Sequence, residues 1–308
     1  MRTSSMRILV AGALLIAGSA GANGWDFGAA LRPVDPPAVL AGAARSVRTR
    51  GAESLARLFA AYDFRLRAIP AGKPVPRILV SSLPPGLAAM RPVGRKTKLF
   101  RKILLPIVLV VNETIAHDRE RLIALKRKQE IGASLTAGEN GFLWSLAREY
   151  KVGDGDLDDL LVRVDVIPPS LALAQAIEES GWGTSAYARK GNALFGQETG
   201  LRSKNAMEGR IGTRRFRIKA FPSLLEAVTA YAHNLNTHAA YRTMRARRAA
   251  TRARGQGPDG YRLAGTLVRY SERGPAYIRT IRQLMDGFNL RGLDHARVEG
   301  GPVIHVFR

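Results

Sequence analysis

Residues 174–197 read AQAIEESGWGTSAYARKGNALFGQ. The first part is a run of helix formers, and Glu178 and Glu179 close it just before Ser180-Gly181-Trp182-Gly183. A surface helix has little use for two adjacent like charges followed by a large aromatic between glycines. A carboxyl that must stay protonated near neutral pH does. At a helix C-terminus it meets the negative end of the dipole. The neighbouring carboxylate adds like charge, and Trp182 can exclude water. All three effects raise a carboxyl pKa, which suits a general acid. On a wheel of about 100° per residue, Leu173 and Ile177 mark the buried face. Glu178 and Glu179 lie off it on different sides, Glu179 together with Ala172, Gln175 and Ala176. The wheel permits Glu179 as a cleft acid without choosing it over Glu178. Two solvated glutamates at a helix end are the plain alternative.

Working outward, Pro168-Pro169 breaks the chain and Ser170 offers an N-cap for the helix that follows. Upstream, residues 160–167 are apolar and β-branched, and read as strand or helix alike. From about Lys96 the pattern turns helical, with Leu99, Ile103, Ile107, Val110 and Ile115 in step and Pro106 expected to kink or split the run. The apolar stretch from Ile103 to Val111 is too short to span a bilayer and reads as buried. Ser134 or Thr136 caps a further helix. Downstream, the basic and apolar alternation of RIGTRRFRIKA at 210–220 predicts one arm of a β-hairpin, with Glu198 to Met207 as the other. Ser223 caps a helix with Leu224, Leu225, Val228 and Tyr231 at packing spacing, and two more helices follow near Tyr261 and Tyr277. Residues 23–92, punctuated by prolines, read as largely extended and poorly ordered, with room for a short helix around Glu53 to Asp63. The tail from Arg291 reads as loosely packed.

Composition bounds the function. The 308 residues carry 48 Lys and Arg against 25 Asp and Glu, a formal charge of +23, which attracts polyanions. Arg2 and Arg7 precede an apolar run, Ile8 to Ala17, and Ala20-Gly21-Ala22 supplies an A-x-A site. That is the pattern of a secretory signal peptide, so residues 1–22 are expected to be removed and the protein exported to the periplasm or cell envelope. Export makes a nucleic-acid partner unexpected. Without cysteine the chain has neither disulfides nor thiolate metal sites. His233 and His238 are offset by five, wrong for two ligands on one helix face, so no metal or other cofactor is expected. The arginine run Arg242–Arg254, six arginines without an acid, reads as contact with an anionic wall or membrane surface.

LAQAIEESGWGTSAYARKGNALFG resembles the signature of bacterial glucosaminidase domains, the peptidoglycan-cleaving β-N-acetylglucosaminidases. FPSLLEAVTAYAHNLNTHAAYRTMR and LVRYSERGPAYIRTI look like the Bax-type subgroup. The likeness covers about Val164 to Asn289, with a weaker likeness back to Lys98. It implies a mostly helical α+β, lysozyme-like fold with a small hairpin over residues 161–290, preceded by a helical segment over 93–160 and followed by the tail 291–308. It implies Glu179 as the catalytic acid, and Trp182, Asn192, Phe195, Tyr241, Tyr270 and Tyr277 along the sugar groove. Ala193 stands where the family usually has Asn. Glycosidases ordinarily use two carboxylates. Glu198 and Glu208, in the hairpin region, are the candidates for the second, and assistance from the sugar's acetamido group is the other route. The expected activity is endo-cleavage of peptidoglycan glycan strands after N-acetylglucosamine. A catalytically silent, cationic wall-binding module is the alternative.

Overall fold

The structure, a computed structural model, describes residues 44–307 apart from 154, 201, 202, 204, 212 and 213. The signal-peptide reading of residues 1–22 lies outside the described residues. In chain order the first half forms β1 (Arg45–Arg48), α1 (Ala52–Ala61), β2 (Ile78–Val80), α2 (Val93–Glu130), α3 (Ala137–Tyr150) and α4 (Leu157–Arg163). Then come α5 (Pro169–Ser180), α6 (Ala186–Gly191), β3 (Ala206–Ile211), β4 (Arg214–Lys219) and α7 (Leu224–Thr237). The last elements are α8 (Arg242–Ala253), α9 (Gly260–Ala264), α10 (Pro275–Gly287) and β5 (Ile304–Phe307). This is a mostly helical α+β fold with an antiparallel β3–β4 hairpin, as the sequence led us to expect, but Arg210 and Ile211 belong to the first arm and pair with Arg215 and Arg214 of the second.

The 38-residue helix α2 is the axis of the molecule. Every residue from Lys102 to Asn112 is buried, which is what an apolar surface all round a helix requires. α1, α4, α5, α7 and β2 all pack on it. Pro106 was expected to kink or split this run, but the helix continues through it. The backbone bond it removes is outweighed by packing on every side. Among the described residues no helix is long and apolar enough to cross a membrane. α3 starts where Thr136 caps it: its hydroxyl accepts the Glu139 N–H, and the Glu139 carboxylate accepts the Thr136 N–H in return. The ambiguous stretch 160–167 is both things, the end of α4 followed by extended chain to Ile167.

Three expectations need correction. The described part of 23–92 is folded: β1, α1 and β2 are regular, and Phe59, Phe64, Val75 and Ile78 share one core with Ile103, Leu173 and Tyr277. The tail is not loose either. β5 is the middle strand of a parallel sheet ordered β1-β5-β2, with Ile304 opposite both Arg45 and Ile78. Ile304 and Val306 point inward and His305 and Phe307 outward. This sheet joins the two ends of the described chain, so the order of each segment depends on a partner more than 200 residues away, which local patterning does not show.

The third correction concerns the arginine run. Arg245 and Arg248 are buried, and each donates to backbone carbonyls. Arg248 reaches the carbonyls of Val162, Arg163, Asp165 and Val166 at 3.0–3.2 Å, and its Nε lies 3.6 Å from the Asp165 carboxylate. Arg252 closes on the same carboxylate at 2.7 Å. These guanidiniums hold the segment leading into α5. Only Arg242, Arg247 and Arg254 of the run are exposed.

Candidate active site

Pro169, at the first position of α5, has the backbone angle a helix start needs and no N–H to satisfy. The helix begins at Pro169 rather than being capped by Ser170. Instead Asp294 accepts the Ser170 N–H at 2.8 Å and its hydroxyl at 2.9 Å, and also the Gly260 N–H at 2.9 Å. One carboxylate from the C-terminal segment therefore caps α5 and ties down the start of α9. Burial raises the Asp294 pKa, while these three hydrogen bonds hold it back.

The other end of α5 is fixed by SGWG. Gly181, Trp182 and Gly183 are all left-handed, with φ of 57°, 62° and 73°. The Trp182 N–H returns to the Ile177 carbonyl. The buried Ser180 hydroxyl donates to the Ala176 carbonyl at 2.5 Å and accepts the Gly183 N–H at 2.8 Å. A Cβ on Gly183 would lie 2.9 Å from both Leu83 and Phe100 side-chain carbons, so glycine is required there by space as well as by φ. The reversal sends the half-buried Trp182 ring edge-on against Phe100 and Phe288, with centroids 6.1 and 4.5 Å away.

Glu179 sits at the last turn of α5. The residue is half-buried, but both carboxylate oxygens are out of reach of solvent, and neither has a hydrogen-bond partner. Burial is the main reason its pKa is pushed up to about 8. The Tyr277 hydroxyl is near enough to draw it back down, yet closes no hydrogen bond of normal geometry to either oxygen. The Glu178 charge raises it and the Arg273 charge lowers it. Glu178 differs sharply: its carboxylate pairs with Arg273 at 2.5 Å, and Arg273 is steadied by the Thr280 hydroxyl at 2.8 Å. The two adjacent acids thus have opposite surroundings, one paired and one without a partner.

Tyrosines surround Glu179. An ionised Glu179 acts on Tyr231, Tyr241, Tyr270 and Tyr277, whose phenols burial pushes well above their ordinary value. Tyr241, Tyr270 and Tyr277 form a continuous row, with neighbouring centroids 5.8 and 5.4 Å apart. Phe195 stacks on Tyr231 at 3.9 Å. Gln175, one helical turn before Glu179, joins the two sides: it donates to the Tyr277 oxygen at 2.9 Å and accepts from the Tyr231 hydroxyl at 2.7 Å. Gln175 and Tyr231 are the members of this arrangement that sequence reading left out. The i, i+4 spacing of Gln175 from Glu179 was the available signal; Tyr231 carried only a packing signal.

The remaining candidates lie elsewhere. Asn192 ends α6 in a left-handed conformation, and its amide donates to the Phe221 and Pro222 carbonyls, holding the approach to α7. Ala193 packs with Phe216 and Ile218 of the hairpin. Glu198 is half-buried and bridges to Ile218 of β4, and Glu208 is exposed on β3 opposite Arg217. The charges that move Glu179 are those of Glu178 and Arg273 rather than these. His233 bonds the Glu149 carbonyl at 2.7 Å, and His238 accepts the Ala240 N–H.

Residues 157–290 match the family described as Glucosaminidase, mannosyl-glycoprotein endo-beta-N-acetylglucosaminidase. Protein bax of Escherichia coli (strain K12) is 35% identical over 191 residues, a match spanning 59% of this chain and 66% of that protein, slightly under two thirds of its length. A peptidoglycan hydrolase from Sphingomonas sp. A1 aligns at 22% identity and a TM-score of 0.33, over 48% of this chain and 84% of that one. The catalytic domain of the Listeria monocytogenes autolysin Auto aligns at 18% identity and a TM-score of 0.33, over 56% and 97%. The segment that builds the Glu179 site is therefore a glucosaminidase domain, in a homologue of Escherichia coli Protein bax.

Proposed function

We propose that this protein is an exported hydrolase of peptidoglycan glycan strands, cleaving the β-1,4 bond after N-acetylglucosamine with Glu179 as general acid. The observation that carries the reading is the Glu179 carboxyl, walled by tyrosines, without a partner, and neutral up to about pH 8. A neutral carboxyl beside a glycosidic oxygen delivers its proton as the bond to the anomeric carbon breaks. The sugar's acetamido oxygen closes on that carbon and holds the developing positive charge. Water then opens the ring so formed and returns a proton to the Glu179 carboxylate. We favour the acetamido route over Glu178 as the second group because Glu178 is committed to Arg273. Gln175 keeps Tyr231 and Tyr277 in place around the acid. The charge of +23 suits an acidic polymer, and the N-terminal Arg-apolar-A-x-A pattern suits export.

The test is digestion of purified sacculi. The parent releases fragments whose new reducing ends are N-acetylglucosamine by mass spectrometry, and Glu179→Gln, folded by circular dichroism, is slower by about 10²–10⁴-fold. Full activity of that variant refutes the assignment. Reducing ends of N-acetylmuramic acid refute the bond preference. A parent that binds sacculi but cuts nothing leaves the silent wall-binding module. N-terminal sequencing of exported protein, expected to start near Asn23, tests the leader.

A further inference from the structure

A groove of about 840 Å³ is lined mostly by residues outside the glucosaminidase match, with Phe288 and Asn289 inside it. Phe288, the ring that Trp182 packs against, is its boundary with the site. The lining carries Arg65, Arg67, Lys98, Arg101 and Lys102 against a single acid, Asp63. Asp63 is already taken by Arg65 and Lys73. Arg101 is held by the Thr97 and Phe288 carbonyls and lies over the Phe288 ring. Lys102 is the decisive residue. Only 9% of it is exposed, its ammonium faces the Phe59 and Phe64 rings at 5.9 and 5.3 Å, and among the described residues it has neither a hydrogen bond nor an ion pair. Burial and the Lys98 charge work against its ionised form, and the Asp63 charge favours it. An anion bound in the groove offsets the cost of keeping this ammonium buried and charged.

We propose that this groove binds the carboxylates of the peptide stem carried by the glycan strand that Glu179 cuts. The proposal rests on the peptidoglycan reading, since it names a further part of the same substrate. Phe64, Leu66, Pro70 and Leu293 line the groove together with the cations. That mixture fits a short peptide with carboxylates set between aliphatic side chains. A phosphodiester polymer asks for converging cations or a nest of backbone N–H groups instead. The volume lies in the range of sites that enclose small ligands, roughly 300–1,000 Å³. Phe288 belongs to both places, since it lines the groove and packs on Trp182, three residues after Glu179.

The test uses the full chain and the double variant Arg67→Gln/Lys98→Gln. Both positions are exposed, and circular dichroism checks the fold. Calorimetry measures binding of a soluble stem tetrapeptide, the same peptide amidated at its carboxylates, and poly(glycerol phosphate). The tetrapeptide is expected to bind the parent, with affinity falling about five- to tenfold both for the double variant and on amidation. Absence of tetrapeptide binding, equal binding by parent and double variant, or tighter binding of poly(glycerol phosphate) overturns the proposal. Sacculus digestion by the parent scores the enzyme reading separately. A protein that binds the peptide and cuts nothing keeps this site and loses the activity; one that cuts and ignores the peptide does the reverse.

Discussion

Glu179 and Glu178 are neighbours in sequence and opposites in setting, and the difference can be measured without substrate. An unfolded chain gives Glu179 its ordinary pKa of 4.5, whereas the fold holds it at about 8. Between those values the folded state keeps a proton that the unfolded state has lost. Stability therefore falls as pH rises from about 4.5 to about 8 and levels off above. Glu179→Gln, always neutral, removes that loss. Its melting temperature is expected to exceed the parent's at pH 8 and to converge with it near pH 4.5; equal melting at pH 8 would mean the carboxyl is not desolvated. Activity is expected to decline through about pH 8 as the acid ionises. Glu178→Gln takes away a like charge and frees Arg273, both of which lower the Glu179 pKa. The alkaline limb of its rate profile is expected to move to lower pH, with the maximal rate little changed. An unmoved limb would show that Glu178 is electrostatically silent.

At the scale of elements, α5 is positioned from both ends. Its C-terminal reversal places Gly183 at φ 73° and against Leu83 and Phe100. Gly183→Ala is expected to lose about 1–3 kcal/mol of stability in denaturant unfolding, the usual cost of a residue held in such a conformation. It also displaces the Trp182 turn and with it Glu179, so activity is expected to fall further than the stability loss explains. At the N-terminal end, Asp294→Ala removes three hydrogen bonds from α5 and Gly260. A loss of about 0.5–2 kcal/mol is expected. Ser170→Ala keeps the backbone bond and is expected to cost less. If the two variants unfold alike, Asp294 is not the cap.

Over the whole molecule, charge divides into a structural part and a surface part that composition cannot separate. Arg248 is wholly buried and serves four carbonyls and Asp165. Arg248→Ala leaves those groups unmet in the interior and is expected to cost about 3–5 kcal/mol in thermal or denaturant unfolding. Replacing Arg242, Arg247 and Arg254 together with Gln is expected to change stability by no more than about 0.5 kcal/mol per site, since all three are exposed. Equal destabilisation by the two variants would contradict the buried network. The parallel β1-β5-β2 sheet acts at the same scale, because it makes both ends of the described chain part of the core that supports α2.

Local rules were enough for much of this protein. The α5 run, its stop at Gly181, the Thr136 capping box, the buried stretch of α2 and the β3–β4 hairpin all follow from periodicity and turn residues within about ten positions. The stop and the adjacent acids were also enough to single out the Glu178-Glu179 pair, and the family resemblance pointed to Glu179. The wheel could not choose between the two, since it knows which face a residue shares but not what covers that face. Tertiary structure separated them: Arg273 comes from the chain before α10 to pair with Glu178, while tyrosines from α7 to α10 close around Glu179. It also moved the α5 cap from Ser170 to Asp294, turned Arg245 and Arg248 inward, and ordered the described part of 23–92 and the C-terminal tail through one parallel sheet. Each of these depends on contacts between residues far apart in sequence, whose burial and partners exist only once the chain is folded.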